Sequence, residues 1–447
     1  MDRASDMGED LKSGTAVRRV VLAIALLMTF RNFQFFPGMP YVQELWFVLS
    51  FLALVVLYPV WKICRGLKFS SFELYVLVLA PTAVLLPAWG AWHEFGQPFW
   101  YGILAQRAIP LMVTALLLVN ALRDRLVRLA DIEGALLLCG WGTFVLYTLM
   151  RLTLNPADFT SYGVAFVGVV FLAGQGGRPI FILPSYFILY SFVYYALLGI
   201  RTRRKRYYFA AAILIAPNGG PVERSLAITI AATLLFFLYK WRPISGFLLS
   251  LSKACAAGVI VLGLAFAANP ASLSSTVGRF SDAFRVMLGG SEVDDPSANA
   301  RLFEALIALP YIQKHPLLGS GEISNQWEGG INERLGAIFY DDDIGLMGIL
   351  FSRGAIGLLL FAYQYRFAMR AARKLPEERH SALADGAMGF LLFSAINSLT
   401  TGMFVFSPEV TLFFVALIFG ISEYCSKEIL SHSSVPLCRV QTPVLLP

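Results

Sequence analysis

Long apolar runs alternate with short polar segments along almost the whole chain. They fall at 17–35, 44–63, 72–92, 100–121, 131–150, 180–200, 207–217, 222–240, 246–268, 343–366, 385–405 and 409–426. A helix of about 20 apolar residues crosses about 30 Å of hydrocarbon, so these runs read as membrane spans. The pattern predicts an all-α polytopic integral membrane protein of about 12 transmembrane helices. A cytoplasmic tail over 1–16 precedes nine spans over 17–268. A large helical extracytoplasmic loop over 269–341, three further spans over 342–426 and a cytoplasmic tail over 427–447 complete it.

Composition agrees with this pattern. The chain of 447 residues is 57% hydrophobic and 15% charged, with a mean hydropathy of +0.65. Soluble domains carry roughly a quarter charged residues, and no polar linker here joins candidate soluble cores. The net charge of +7 does not point to nucleic acid, because Lys and Arg cluster between the apolar runs. That is the positive-inside pattern, which reports orientation.

The cytoplasmic markers are Arg201-Thr-Arg-Arg-Lys-Arg206, 62–68, 123–128 and 366–374. Parity then decides 161–173, which is apolar enough to be a span. Counting it would put the 201–206 cluster outside, so 156–178 reads as an outer loop dipping toward the membrane. Both termini then lie in the cytoplasm. Cys64, Cys139, Cys255, Cys425 and Cys438 all fall outside the large loop, and no Cys-x-x-Cys occurs. Neither a disulfide framework nor a zinc site is expected. No small-residue cleavage site follows the first apolar run, so no removable signal peptide is expected.

Departures from regular spans carry the chemistry. The run from Tyr207 to Ala216 is too short to cross alone and leads into Pro217-Asn-Gly-Gly-Pro221, which cannot be regular helix. Broken backbone at membrane depth is tolerated where protein buries it or a wet cavity lies beside it, so a cavity opening outward near 218–224 is expected. Ionisable groups inside the bilayer are costly and mark function or pairing. Arg107 lies about eight residues into its span, about 12 Å deep at about 1.5 Å per residue. Arg353 lies further into the tenth span, Arg31 near the outer end of the first, and Arg224 at the outer end of the eighth. Each could pair with a carboxylate or a carbonyl, or snorkel. Arginines converging on one cavity would instead make an anion site, since guanidinium forks bind diphosphates bidentately.

The large loop has its own helical pattern. An amphipathic helix is expected over 274–288, carrying Arg279 and Arg285. A second starts after Asp294-Asp-Pro-Ser297 and stops at His315-Pro-Leu-Leu-Gly-Ser-Gly321. The stretch from Arg301 to Gly321 resembles the signature of the O-antigen ligase and O-antigen polymerase superfamily. That signature has an arginine in a loop helix and a His-Pro-Leu-x-Gly-x-Gly turn fourteen residues on, as from Arg301 to His315. Arg224, entering an apolar span after a Gly-rich break, is similar to the family's second arginine motif.

The resemblance implies a GT-C-like, metal-independent membrane glycosyltransferase of the bacterial inner membrane, without a cofactor. Its donor would be an undecaprenyl-diphosphate-linked glycan, with Arg224 and Arg301 on the diphosphate. The family's base is a histidine eleven residues before a glycine in the tenth span. Counting back from Gly354 gives Asp343, within Tyr340-Asp-Asp-Asp343, so the histidine is absent. Ala305 also replaces a tryptophan often found there. A carboxylate can serve as proton acceptor once burial among neighbouring acids raises its pKa. Asp343 is therefore the expected base, although the acids could equally cap the tenth helix.

Arg178, Arg107, Asp342 and Arg353 are the expected substrate-binding residues. His315 reads as part of the helix-ending turn, Arg279 as a solvated helix face, and Glu322 as a group able to face the cavity. Asn397, Ser398, Thr400 and Thr401 could contact sugar or bond neighbouring helices. Loss of the histidine favours a glycan polymerase, extending an exopolysaccharide, capsule or O-antigen repeat, over a ligase acting on lipid A core. Chain-length regulator and flippase proteins would be partners. A reading from another class is a lipid-linked oligosaccharide flippase or transporter, although no repeated halves are visible.

Overall fold

The computed structural model describes residues 3–35, 39–155, 169–171, 179–181, 185–215, 224–241, 252, 296–324, 326–328, 330–336, 339–375, 381–399, 401 and 407–431. The described chain is overwhelmingly helical. In order come α1 (Arg3–Thr29), α2 (Pro40–Leu52), α3 (Tyr58–Cys64), α4 (Ser71–Phe95), α5 (Phe99–Ala105), α6 (Val113–Arg123) and α7 (Leu129–Thr153). Then follow α8 (Tyr186–Thr202), α9 (Lys205–Ile215), α10 (Arg224–Trp241), α11 (Pro296–Lys314), α12 (Leu346–Lys374), α13 (Ala382–Asn397) and α14 (Pro408–Ser431).

Among the described residues, five helices are long and apolar enough to cross a membrane, or six if the bent pair 99–105 and 109–123 forms one span. Shorter apolar helices lie at Tyr186–Thr202, Ile228–Trp241 and Ala382–Asn397. The protein is thus a helical, multi-pass membrane protein. Apart from residue 252, the ninth expected span, 246–268, lies outside the described residues, as do the expected helix at 274–288 and the break at 217–221.

Several expected spans are more irregular than their hydropathy implied. The fourth is bent by 45°, with a 3-10 turn at Ile109–Met112 between its two helical parts. Helices α2 and α3 run on through a π turn at Ala53–Leu57. In the dipping outer loop, Val169–Phe171 pairs antiparallel with Pro179–Phe181, and the sixth helix starts only at Tyr186. Hydropathy averages over a window and is blind to such local breaks.

Helix α14 is the centre of the packing, with 72% of its apolar window buried, against 28% for the span at Tyr41–Cys64. The outlying helix leaves Leu45, Val48, Leu52 and Val55 exposed, a face suited to lipid tails. Around the centre, the Phe414 ring lies 4.3 Å from Phe390, and Phe30 stacks on Phe187 at 4.5 Å. These contacts tie α14, α13, α8 and α1 together.

Charged groups gather at two opposite ends. Helix α4 opens on a capping box, with Ser70 Oγ accepting from the Glu73 N–H at 3.3 Å and Glu73 Oε2 accepting from the Ser70 N–H at 2.6 Å. Glu73 is fully buried and pairs with buried Lys62 at 2.7 Å and with Arg123 at 3.7 Å. It also accepts from Tyr58 at 2.6 Å. The ends of α3, α4 and α6, all expected in the cytoplasm, therefore meet one another. Helix α4 rises about 1.5 Å per residue, and its far end places Glu94 against Lys314 and His315 of the large loop. Lys314 and His315 thus lie at the opposite end of α4 from the Lys62 and Arg123 cluster.

Two stability outcomes follow. Lys62→Met strands a buried carboxylate and is expected to cost about 3 kcal/mol in chemical unfolding in mixed micelles. Gly321 has φ +92, and a Cβ there would overlap the Ala91 nitrogen and the Pro87 carbonyl, whereas a Cβ at Gly142 meets open space. Gly321→Ala is therefore expected to lower the thermal midpoint of detergent-purified protein by several degrees, from about 1–3 kcal/mol of backbone strain plus the overlap. Gly142→Ala should leave it unchanged or slightly higher. Equal midpoints for the two variants would contradict this packing.

Candidate functional site

The site is built on a break. Helix α12 is interrupted at Gly354, whose φ of 62° and ψ of −169° are not helical. The break releases backbone groups that a buried helix cannot leave unpaired. The turn after α11 takes them up. Ala355 N–H donates to Pro316 O at 2.9 Å, Ile356 N–H to Leu317 O at 3.1 Å, and Ser320 N–H to Phe351 O at 2.6 Å. A Cβ at Gly354 would overlap the Leu317 carbonyl, so the sequence needs glycine here. On its other side the turn rests on α4, where Glu322 N–H donates to Pro87 O at 3.3 Å.

His315 ends α11, and its Nε2 lies 2.8 Å from Glu94 Oε2. Lys314 Nζ donates to both oxygens of the same carboxylate, at 2.7 and 2.8 Å. The histidine thus belongs to the turn's anchorage, as its place in the motif implied.

Fixing the turn fixes α11 and its Arg301. This helix packs against the acidic stretch, which forms a 3-10 turn over Asp341–Ile344. Helix α12 starts only at Leu346, after Gly345 at φ 55°, and no side chain caps it. The acids therefore occupy a turn of their own instead of capping the tenth span. Asp341 is half-buried, whereas Asp342 and Asp343 are exposed, so the burial expected around Asp343 is not found. Loss of hydration raises the Asp342 carboxyl, with repulsion from Glu322 adding and Arg353 opposing. Burial, then Asp342 and Glu322, raise the Asp341 carboxyl as well, against the pull of Arg353.

Glu304 was not foreseen from the sequence. It lies one turn after Arg301, is 2% exposed, and its Oε1 accepts from the Tyr340 N–H at 3.3 Å. Burial and then Asp343 raise its carboxyl to about 8, against the opposing pull of the Tyr340 N–H and Arg301. The available signal was spacing, since Glu304 and Ala308 share the buried face of α11.

A second group surrounds Arg353, which is 1% exposed. Its Nη2 donates to Gln106 Oε1 and to Glu322 Oε2, both at 3.0 Å, and its Nη1 to Ser352 Oγ at 3.2 Å. Glu322 and Gln106 thus become part of the site's frame. Arg31 Nε lies 3.0 Å from buried Glu409, and Arg31 also attracts the Asp342 carboxylate. Asp342 thus feels the charge of two arginines that are themselves paired.

The other expected residues divide. Arg107 lies at the bend of the fourth span instead of deep in a straight helix; its Nε donates to Glu44 Oε1 at 2.9 Å, and its side chain is 40% exposed. Arg224 is the first residue of α10, while Arg178 lies outside the described residues. Thr401 donates to Asn397 Oδ1 at 2.6 Å and Ser398 to Ser394 O at 2.8 Å, so these groups bond within their own helix end. The structure thus joins Arg301, Asp341, Asp342, Asp343 and Arg353, with Glu304, Glu322 and Arg31 added.

No curated protein matches the chain. A family model described as O-antigen ligase matches residues 223–362. The matched stretch takes in Arg224, Arg301, the His-Pro-Leu turn, the acidic run and Gly354. That family implies glycan processing by a glycosyltransferase-like membrane enzyme. Residues 223–362, and with them both motif arginines and the turn locked into α12, are thus similar to the O-antigen ligase family over about a third of the chain.

Proposed function

We propose that the chain is a glycan polymerase at the outer face of the bacterial inner membrane. It transfers an undecaprenyl-diphosphate-linked oligosaccharide to a growing glycan repeat. The observation that carries this reading is the lock between the 316–320 turn and the break at Gly354, together with the Glu304 bond to the Tyr340 N–H, which docks the helix carrying Arg301 against the acidic stretch.

The chemistry needs little more than Arg301 and Asp343. The acceptor hydroxyl attacks the anomeric carbon of the donor sugar as the bond from that carbon to the diphosphate oxygen breaks. The electron pair leaves with the lipid diphosphate, whose growing charge Arg301 and Arg224 stabilise. Asp343 takes the proton from the acceptor hydroxyl. Arg353 acts by orienting Glu322 and the acidic turn, since its fork is already engaged by Gln106 and Glu322. A ligase acting on lipid A core would use the same steps with a different acceptor, and the absent histidine favours the polymerase.

Purified protein given synthetic undecaprenyl-diphosphate glycan should yield longer lipid-linked product. Sugar crossing reconstituted vesicles with no longer product would favour a flippase and sink the transferase reading. Arg301→Ala is expected to lower turnover by about 100-fold or more while the protein inserts normally. Asp343→Asn is expected to lose about 10²–10⁴-fold, read as product length per unit time. Full activity in that variant would remove Asp343 as the base.

A further inference from the structure

Helix α11 carries two opposite charges one turn apart, Arg301 and Glu304. Residues at this spacing on a helix face each other, and an ionised pair would attract. Yet only Arg301 is half-exposed, while Glu304 is buried with its Oε2 unpartnered among the described residues. The charged groups that act on Glu304 are Asp343 from the acidic turn and Arg301 from its own helix. Arg353, on the helix packed behind, acts on Asp341 and Asp342. A buried carboxylate beside a second carboxylate favours holding a proton.

We propose that Glu304 is a positioning residue that works protonated, leaving the guanidinium of Arg301 free for the donor diphosphate. This rests on the transferase reading and on Asp343 as base. An ionised Glu304 would harm the site twice. It would compete with the diphosphate for Arg301, and it would place a third negative group beside the leaving diphosphate and Asp343. In its neutral form it does neither, and its own proton takes no part in the transfer. The acceptor's proton goes to Asp343 and then to water.

The sign of the pH effect follows. Glu304 is neutral below about 8 and ionises above it, so donor binding should weaken as the pH rises through that value. The donor KM is expected to climb by about tenfold per pH unit above the transition, with kcat affected far less. Glu304→Gln keeps the shape and cannot ionise, so its donor KM should stay near the neutral-pH value of the parent protein across the same range. A structural role alone would not remove the alkaline rise. An unchanged alkaline rise in Glu304→Gln would overturn the proposal.

An infrared measurement keeps the test independent of turnover. The parent-minus-Glu304→Gln difference spectrum at neutral pH should contain a protonated-carboxyl band, over and above the signals of Asp341 and Asp342, that bleaches when the pH is taken above about 8. No such band in the difference spectrum also overturns the proposal. Asp343→Asn separates the two readings. If it stays fully active while Glu304→Gln loses the alkaline rise, the base assignment fails and the role of Glu304 at Arg301 stands.

Discussion

Everything at the site depends on an exchange of backbone hydrogen bonds at Gly354. A helix broken inside a membrane protein must find new partners for its freed N–H and carbonyl groups, at a cost of several kcal/mol for each left unmet. Here the partners are supplied by a single turn, through Pro316, Leu317 and Ser320. The break and the turn need each other, because neither could be buried alone. One consequence is positional: the loop helix cannot tilt freely, so Arg301 and Glu304 are held against the acidic turn. The other is chemical, because the same docking brings Glu322 onto Arg353.

Charge is then arranged in alternation. Arg353 favours charge on Asp341 and Asp342, Arg31 on Asp342, and these two arginines are held by Glu322 and Glu409. Buried ions without partners would be strongly destabilising, whereas a closed alternation keeps each one compensated. On the proposed reading Arg301 differs in having a neutral acid beside it, and a lipid-linked diphosphate arriving from the bilayer would meet its charge.

Much of the frame was legible in the sequence because it rests on local rules. Runs of apolar residues gave the helical, multi-pass membrane class; Lys62, Glu73 and Arg123 meet at one end of α4 and Glu94 meets His315 at the other. Arg301 and the His-Pro-Leu turn could be named because their spacing resembles the family's signature. The breaks could not. Gly354 sits in an ordinary apolar run, and only the fit of Leu317 against it gives its conformation a reason. Arg107 looked deep because its span was counted as straight, and the bend brings it to Glu44 instead. Glu304, Gln106 and Glu322 were unforeseen as partners because each depends on contacts between segments distant in the chain.

Photo-crosslinking with an undecaprenyl-diphosphate glycan carrying the reactive group on its first sugar, followed by peptide mapping, tests the site most directly. The expected adducts lie on the loop helix at Pro296–Lys314 and on the stretch around Asp341–Ile344, and excess unlabelled donor should suppress them. Adducts confined to the lipid-facing span at Tyr41–Cys64, with none on those two segments, would contradict the placement of the donor at Arg301 and Asp343.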